Sequence, residues 1–281
     1  MARPPLEVDL DWEIEEDIAP AASHRRDSRF AFQRIPELVA ECTGRGDGAP
    51  ALDVASGFGD QVALLCALGW QAWGLDASMD LARHCRTRFA SAGQAPMVCA
   101  VAEALPFRAE TFARVLCQGS VDHFADPGAF FREVARVLRP GGLAVIVVSN
   151  YDSVACRLGR RLYGLRRRLG LAVMPGRPYW VIPPNHTFRS TYGVLRSLAD
   201  PHLELVACHG ASLFWLFGGW YRLLHAVPEP LAMQIARAAD RIAYRFPKLA
   251  DFIVSVWRPR RVPAGGVSRT APRAGPRHVR P

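Results

Sequence analysis

Apolar and polar positions change rhythm several times along this chain. Between Ser23 and Cys42, Phe30, Phe32, Ile35, Leu38 and Val39 recur at helical spacing, with an interruption expected at Pro36. After the turn cluster Gly-Arg-Gly-Asp-Gly-Ala-Pro, short apolar runs alternate with amphipathic ones. Ala51–Val54 predicts a buried strand, Asp60–Leu68 a helix ending at Gly69, and Ala72–Leu75 a second strand. Ser78 can cap a helix running to about Ala92. Met97–Val101 and Phe112–Gln118 read as strands. Asp126 as cap, Pro127 at the first position and Pro140-Gly141-Gly142 as the stop frame a helix over Pro127–Leu138. Leu143–Ser149 is continuously apolar, as expected of a strand covered on both faces. The alternation predicts an α/β fold, a doubly wound parallel sheet whose ligands bind beyond the carboxyl ends of the strands.

After Asn150 the rhythm changes. Tyr151 to Pro184 reads as irregular and arginine-rich, Ser190–Ala199 as helix and Leu203–Cys208 as strand. An apolar, aromatic stretch spans Leu213–Val227, followed by a helix over Leu231–Phe246 and a last strand, Phe252–Trp257. The expected organisation is an acidic lead-in over 1–22, one domain over 23–257 and a tail over 258–281. Segments 151–185 and 211–247 would be acceptor or lid insertions in that domain.

Composition narrows the class. The chain has 281 residues, half of them apolar, enough for a full α/β core. The seven cysteines are scattered and never spaced as CxxC, which argues for a reducing compartment and against a disulfide framework or zinc site; no metal ligands are expected. The N-terminus does not read as a signal peptide, and no apolar run suits a membrane span, so a cytoplasmic protein is expected. The net charge of +9 is localised: seven arginines lie from Arg258 onward, leaving 28 basic against 26 acidic residues before it. A nearly neutral body does not suit nucleic acid as a partner. The basic Pro/Gly/Arg tail reads as a disordered extension.

The chemistry concentrates in Ala51-Leu-Asp-Val-Ala-Ser-Gly-Phe-Gly-Asp60. Small residues at Ala55, Ser56, Gly57 and Gly59 let backbone amides approach a ligand at the start of a helix. A dinucleotide loop would want a third glycine where Val62 stands. Asp76 ends the second strand, 17 residues after Gly59, where a carboxylate can accept ribose hydroxyls. Asp53 would repel a pyrophosphate and attract an ammonium. An adenosine ligand with an amino-acid end fits better than a dinucleotide.

With these residues in place, the chain resembles the class I S-adenosylmethionine-dependent methyltransferases, in the group similar to ubiquinone and menaquinone biosynthesis enzymes. Asp53-Val-Ala55-Ser-Gly57-Phe-Gly59 is similar to the family's acid and glycine loop, with Ala55 replacing the first glycine. Leu75-Asp76-Ala77-Ser78 resembles its ribose-binding strand end, and Leu81 falls where an apolar residue meets adenine. Val101-Ala102-Glu103-Ala-Leu-Pro-Phe107 resembles Asp-Ala-Glu-x-Leu-Pro-Phe, with Val101 replacing the acid and leaving backbone near Ala102 and Glu103 to meet the adenine amine. Gln118 to Pro127 and Arg132 to Gly142 match the segment after the fourth strand. The resemblance implies a seven-stranded, mostly parallel Rossmann-like sheet with an antiparallel last strand. It also implies S-adenosyl-L-methionine as cofactor, with Gln118 at its methionine end.

The acceptor side offers candidates, each with a structural alternative. His123 is the first candidate base, packing or loop bonding the alternative; Asp122 reads rather as a turn former. Asn150 and Tyr151 could face the acceptor or cap their strand. His186 could line the same site or serve packing. The apolar stretch 211–221 could be an acceptor lid, a peripheral membrane contact or core, and the arginine run at 157–168 could meet anionic headgroups or be a solvated face. The two segments together favour a lipid-like or aromatic acceptor, and the expected reaction is O- or C-methylation of a small apolar or amphipathic acceptor rather than N-methylation. A non-catalytic scaffold of the same fold and an RNA methyltransferase remain the alternatives.

Overall fold

The computed structural model describes residues 25–90, 95–171 and 176–260. The expected acidic lead-in over 1–22 and residues 261–281 of the basic tail lie outside the described residues. The elements run in chain order as α1 (Arg26–Thr43), β1 (Pro50–Val54), α2 (Asp60–Ala67), β2 (Gln71–Asp76), α3 (Met79–Ala90) and β3 (Met97–Cys99). There follow β4 (Phe112–Gln118), a single 3₁₀ turn (Val121–His123), α4 (Pro127–Val137), β5 (Leu138–Ser149), α5 (Val154–Arg168) and α6 (Tyr192–Ala199). The chain continues through β6 (Leu203–Ala211), α7 (Gly218–Ala226), α8 (Glu229–Arg245) and β7 (Phe252–Pro259).

The strands form one seven-stranded sheet in the order β3-β2-β1-β4-β5-β7-β6. Every pairing from β3 to β5 is parallel, and β7 is antiparallel to both β5 and β6. Strand order reverses between β1 and β4, which opens the switch-point crevice at their carboxyl ends. Alternation within each strand explains the unbroken apolar runs. Leu52, Val54, Val115, Cys117, Ile146 and Val148 pack on one face with Phe130, Phe131 and Val134 of α4. Ala51, Leu116, Val145 and Val147 pack on the other with Ile35, Leu38 and Val39 of α1 and Val62 and Leu65 of α2.

Several boundaries depart from expectation. α1 runs through Pro36 without interruption. The carbonyl deprived of its donor belongs to the exposed Phe32, where water can serve it. The helix stop at Gly141-Gly142 becomes a bulge within β5, between the pairs Phe112↔Leu138 and Arg114↔Leu143. Tyr151–Pro184, read as irregular, contains the four-turn helix α5, capped by the Ser153 hydroxyl accepting from Cys156 N–H. β7 runs past Trp257, and Arg258 in its last turn pairs with Glu204 at 2.7 Å, so this part of the expected tail belongs to the sheet. Among the described residues, no helix is long and apolar enough to cross a membrane.

At the carboxyl end of β6 the backbone takes an unusual path. Ser212, Phe214 and Leu216 all have positive φ, a conformation that costs side-chain-bearing residues roughly 1–2 kcal/mol each. Buried aspartates hold it there: Asp240 accepts from Ser212 N–H at 2.9 Å, Asp251 from Trp215 N–H at 2.8 Å and Asp27 from Leu216 N–H at 3.2 Å. The indole of Trp215 donates to Ser28 Oγ, meets Phe32 edge-on and lies tilted against Phe252, which fixes the start of α1 over this loop. Half of the 211–221 stretch is thus structural packing rather than free lid.

Burial pushes the Asp251 carboxyl up to about 8, against the bonds it receives from Trp215, Ser153 and Ser212. The folded protein therefore holds a proton there that the unfolded chain releases above about pH 4, so this group's contribution to stability falls as pH rises from there to 8. Asp251→Asn, which mimics the neutral acid, removes that dependence. Urea unfolding at pH 5 and pH 8 is expected to show wild-type stability falling relative to the variant, by at most about 1.4 kcal/mol per pH unit.

Candidate functional site

The loop between β1 and α2 is shaped by Asp76 at the end of β2. One carboxylate oxygen accepts from Gly57 N–H at 2.8 Å and the other from Ser78 N–H at 2.9 Å, while Ser56 N–H donates to Leu75 O. Ala55 and Gly57 both take positive φ, 56° and 51°, so the alanine that replaces a glycine pays for a left-handed backbone. Gly59 is constrained twice: its φ is 84°, and a Cβ there would stand 2.8 Å from the Phe89 ring. Beneath the loop, burial raises the Asp53 carboxyl well above the usual range, and the neighbouring Asp76 and Asp60 push it the same way. Burial raises Asp76 as well, opposed by its backbone bonds.

Around this loop Asp53 Oδ2, Ser56 Oγ and Gln61 Oε1 are buried and have no hydrogen-bond partner among the described residues. The other end of the Gln61 amide donates to Gln118 Oε1 at 2.9 Å, bridging α2 to the end of β4 across the switch point. A loop that presents an unpaired carboxylate, hydroxyl and amide oxygen suits a ligand rich in hydrogen-bond donors.

A second cluster lies just past β4. Asp122, in the 3₁₀ turn, is buried and accepts from Ser190 Oγ at 2.8 Å. Its Oδ2 also lies 3.1 Å from His186 Nδ1, outside good hydrogen-bond geometry, so that nitrogen remains unpaired. The His123 and His186 rings meet at 4.5 Å, and Tyr151 stands 6.1 Å from His186. Thr187 ties the later loop down, its N–H and hydroxyl both donating to Asp122 O at 2.7 and 2.9 Å. Burial works against ionisation of Asp122, but the close approach of His186, the Ser190 hydroxyl and His123 outweigh it and hold the carboxyl below its ordinary range. Ligand atoms of Asp122, His123 and His186 all lie within 4.8 Å of one another, close enough to share a metal ion. Their separation in sequence hid this set, although no metal ligands were expected.

Comparison with known proteins follows the same lines. A family described as a methyltransferase domain matches residues 52–146. The ubiquinone/menaquinone biosynthesis C-methyltransferase UbiE of Geobacter sulfurreducens is 32% identical over 67% of this chain and 72% of its own length. A ubiquinone biosynthesis O-methyltransferase of Caulobacter sp. is 33% identical over 69% of this chain and 77% of its own. The chain belongs to the class I S-adenosylmethionine-dependent methyltransferases. The crystal structure of the PH0226 protein from Pyrococcus horikoshii OT3 shares the fold, with a TM-score of 0.51 at 21% identity over 83% of this chain and 91% of that one.

Within this methyltransferase fold, the expected cofactor-side residues Asp53, Ala55, Ser56, Gly57, Gly59, Asp76, Ala77 and Gln118 gather at the β1, β2 and β4 ends. Leu81 and Ala102 are buried beside them. The Glu103 carboxylate accepts from Ala125 N–H at 2.9 Å and braces the loop before α4, while the expectation at this position concerned its backbone. Asn150 is the strand cap rather than an acceptor contact, its amide donating to Lys248 O and Ala250 O and accepting from Asp152 N–H. Asp122 is more than a turn former: it is buried, accepts from Ser190 Oγ and stands beside both His186 and His123. Gln61 and Ser190 were not among the expected site residues; nothing local marks either, since each acquires its role from a partner more than fifty residues away.

The left-handed Ala55 gives a test. Ala55→Gly relieves roughly 1–2 kcal/mol of backbone strain and loses about 0.4–1 kcal/mol to the looser unfolded chain. Chemical denaturation is expected to show the variant as stable as wild type or more so by about 1 kcal/mol, whereas a residue with ordinary φ at position 55 would make the glycine destabilising.

Proposed function

We propose that this chain transfers a methyl group from S-adenosyl-L-methionine to a small, apolar or amphipathic acceptor bearing an ionisable hydroxyl, at oxygen or carbon rather than nitrogen. The observation that carries the reading is where the unpaired buried groups fall. Asp53, Ser56 and Gln61 ring the glycine loop, and His186 faces the turn after β4. Each such atom costs roughly 1–3 kcal/mol when left unsatisfied, a cost that a ligand supplying complementary donors offsets.

On this reading Asp53 accepts from the cofactor's ammonium, Asp76 from its ribose hydroxyls, and Leu81 and Ala102 flank the adenine, with Gln118 at the methionine end. When bound, the cofactor supplies a methyl group on a sulfonium that leaves as a neutral thioether. The protein's work is to align the acceptor with that methyl, exclude water and remove one proton. His186 takes the hydroxyl proton at Nε2 while Asp122 faces Nδ1 and stabilises the imidazolium that forms. The loose Nδ1 geometry is of the kind that tightens once substrate is bound. Removing a phenolic proton places negative charge on the oxygen and on the ring carbon beside it, so one base serves either O- or C-methylation. The names of the relatives, which include both C- and O-methyltransferases, agree with this.

The grouping of Asp122, His123 and His186 favours a second reading, in which a divalent cation replaces the shared proton and holds the acceptor oxygen. Calorimetric titration separates the layers of the proposal. S-adenosylmethionine is expected to bind at micromolar affinity, and Asp76→Ala to weaken it tenfold or more; no heat in a folded protein removes the cofactor reading and leaves a non-catalytic scaffold. With a phenolic acceptor, His186→Gln is expected to lower turnover about a hundredfold or more, with His123→Gln milder. Turnover unaffected by chelator supports the base, and turnover lost to chelator and restored by a divalent cation supports the metal.

A further inference from the structure

Helix α5 carries its apolar stripe on the wrong side for a helix that only packs onto a core. Its buried positions are the small residues Ala155, Cys156 and Gly159. Gly159 admits Trp180 so closely that a Cβ would meet its ring. The leucines point elsewhere: Leu162, Leu165 and Leu169 are 41%, 53% and 63% exposed. Their spacing of three and four residues puts them on one face, turned by about 100° around the helix from the buried one. By the same geometry Arg161 and Arg168 border that stripe. They and Arg167 make no ion pair among the described residues, whereas Arg157 and Arg160 are engaged by Asp152. The bias extends beyond the helix: nine arginines and no acid lie between Asp152 and Asp200.

We propose that this face of α5 docks on an anionic lipid bilayer, with Leu162, Leu165 and Leu169 entering the acyl boundary and Arg161 and Arg168 meeting headgroup phosphates. A leucine stripe bordered by arginines is the arrangement of helices that lie in the membrane interface. A second copy of the chain would set arginine against arginine, and a nucleic acid would gain nothing from exposed aliphatic side chains where it would stack on aromatic ones. The helix also starts at the acceptor side: Ser153 caps it, and Arg160 donates to Tyr151 O at 2.9 Å, next to His186. An acceptor partitioned into the bilayer would thus arrive beside the proposed base. That last link rests on the proposed function; the docking itself does not.

The full chain is tested by co-sedimentation with vesicles of phosphatidylcholine alone or mixed with phosphatidylglycerol, at low and high salt. The expected result is binding only to the anionic vesicles, weakened at least tenfold by Leu162→Ser/Leu165→Ser/Leu169→Ser and by Arg161→Gln/Arg168→Gln. Calorimetric binding of S-adenosylmethionine and an unchanged thermal melt show that each variant is folded. Absence of vesicle binding overturns the proposal, as does binding that survives the leucine triple variant, since adsorption would then come from charge elsewhere. A leucine variant that turns a dimer into a monomer without affecting vesicles also overturns it, in favour of a second copy. None of these outcomes changes turnover of a water-soluble phenol, so failure here is distinguishable from failure of the methyltransferase reading.

Discussion

The Asp76 carboxylate is the constraint on which the cofactor side of this fold depends. Each oxygen holds the amide of a different turn, Gly57 after β1 and Ser78 after β2, so one side chain sets the distance between two strand ends. That fastening fixes the left-handed path of Ala55 and Gly57 and brings the Asp53 carboxylate beneath it. Two buried acids side by side repel, and the pair is tolerable only because Asp76 is satisfied by backbone while Asp53 keeps its charge suppressed.

The acceptor side is built on the opposite principle. Asp122 is equally buried, yet its partners outweigh burial and keep it ionised. Its neighbours come from a loop more than sixty residues later, laced to the post-β4 turn through Thr187 and Ser190. Burial thus raises the Asp53 carboxyl, whereas its partners hold the Asp122 carboxyl below its ordinary range.

Much of this was legible in the sequence, and the parts that were not share a cause. The parallel strands announced themselves because a doubly covered sheet demands unbroken apolar runs, and Asp53, Gly57, Gly59 and Asp76 stood at the strand ends that the alternation defined. α5 was missed because its core-facing residues are alanine, cysteine and glycine while its leucines face outward, so the pattern lacks the usual relation between hydrophobicity and burial. Asn150 could not be distinguished from an acceptor contact without knowing that the carbonyls of Lys248 and Ala250 converge on it. Asp122, His186 and Gln61 are likewise defined by long-range partners. Local pattern reads what a residue is in its own element; it is silent on who meets it across the sheet.

The place of β7 has a consequence for how the chain is made. β7 enters the sheet between β5 and β6, so β6, although earlier in sequence, has no strand to pair with until Phe252–Pro259 is in hand. A nascent chain can complete the crevice between β1 and β4 while one flank of its sheet stands open along β5. That exposed edge, bare of its antiparallel neighbour, is the part of the growing protein most in need of protection from other strands.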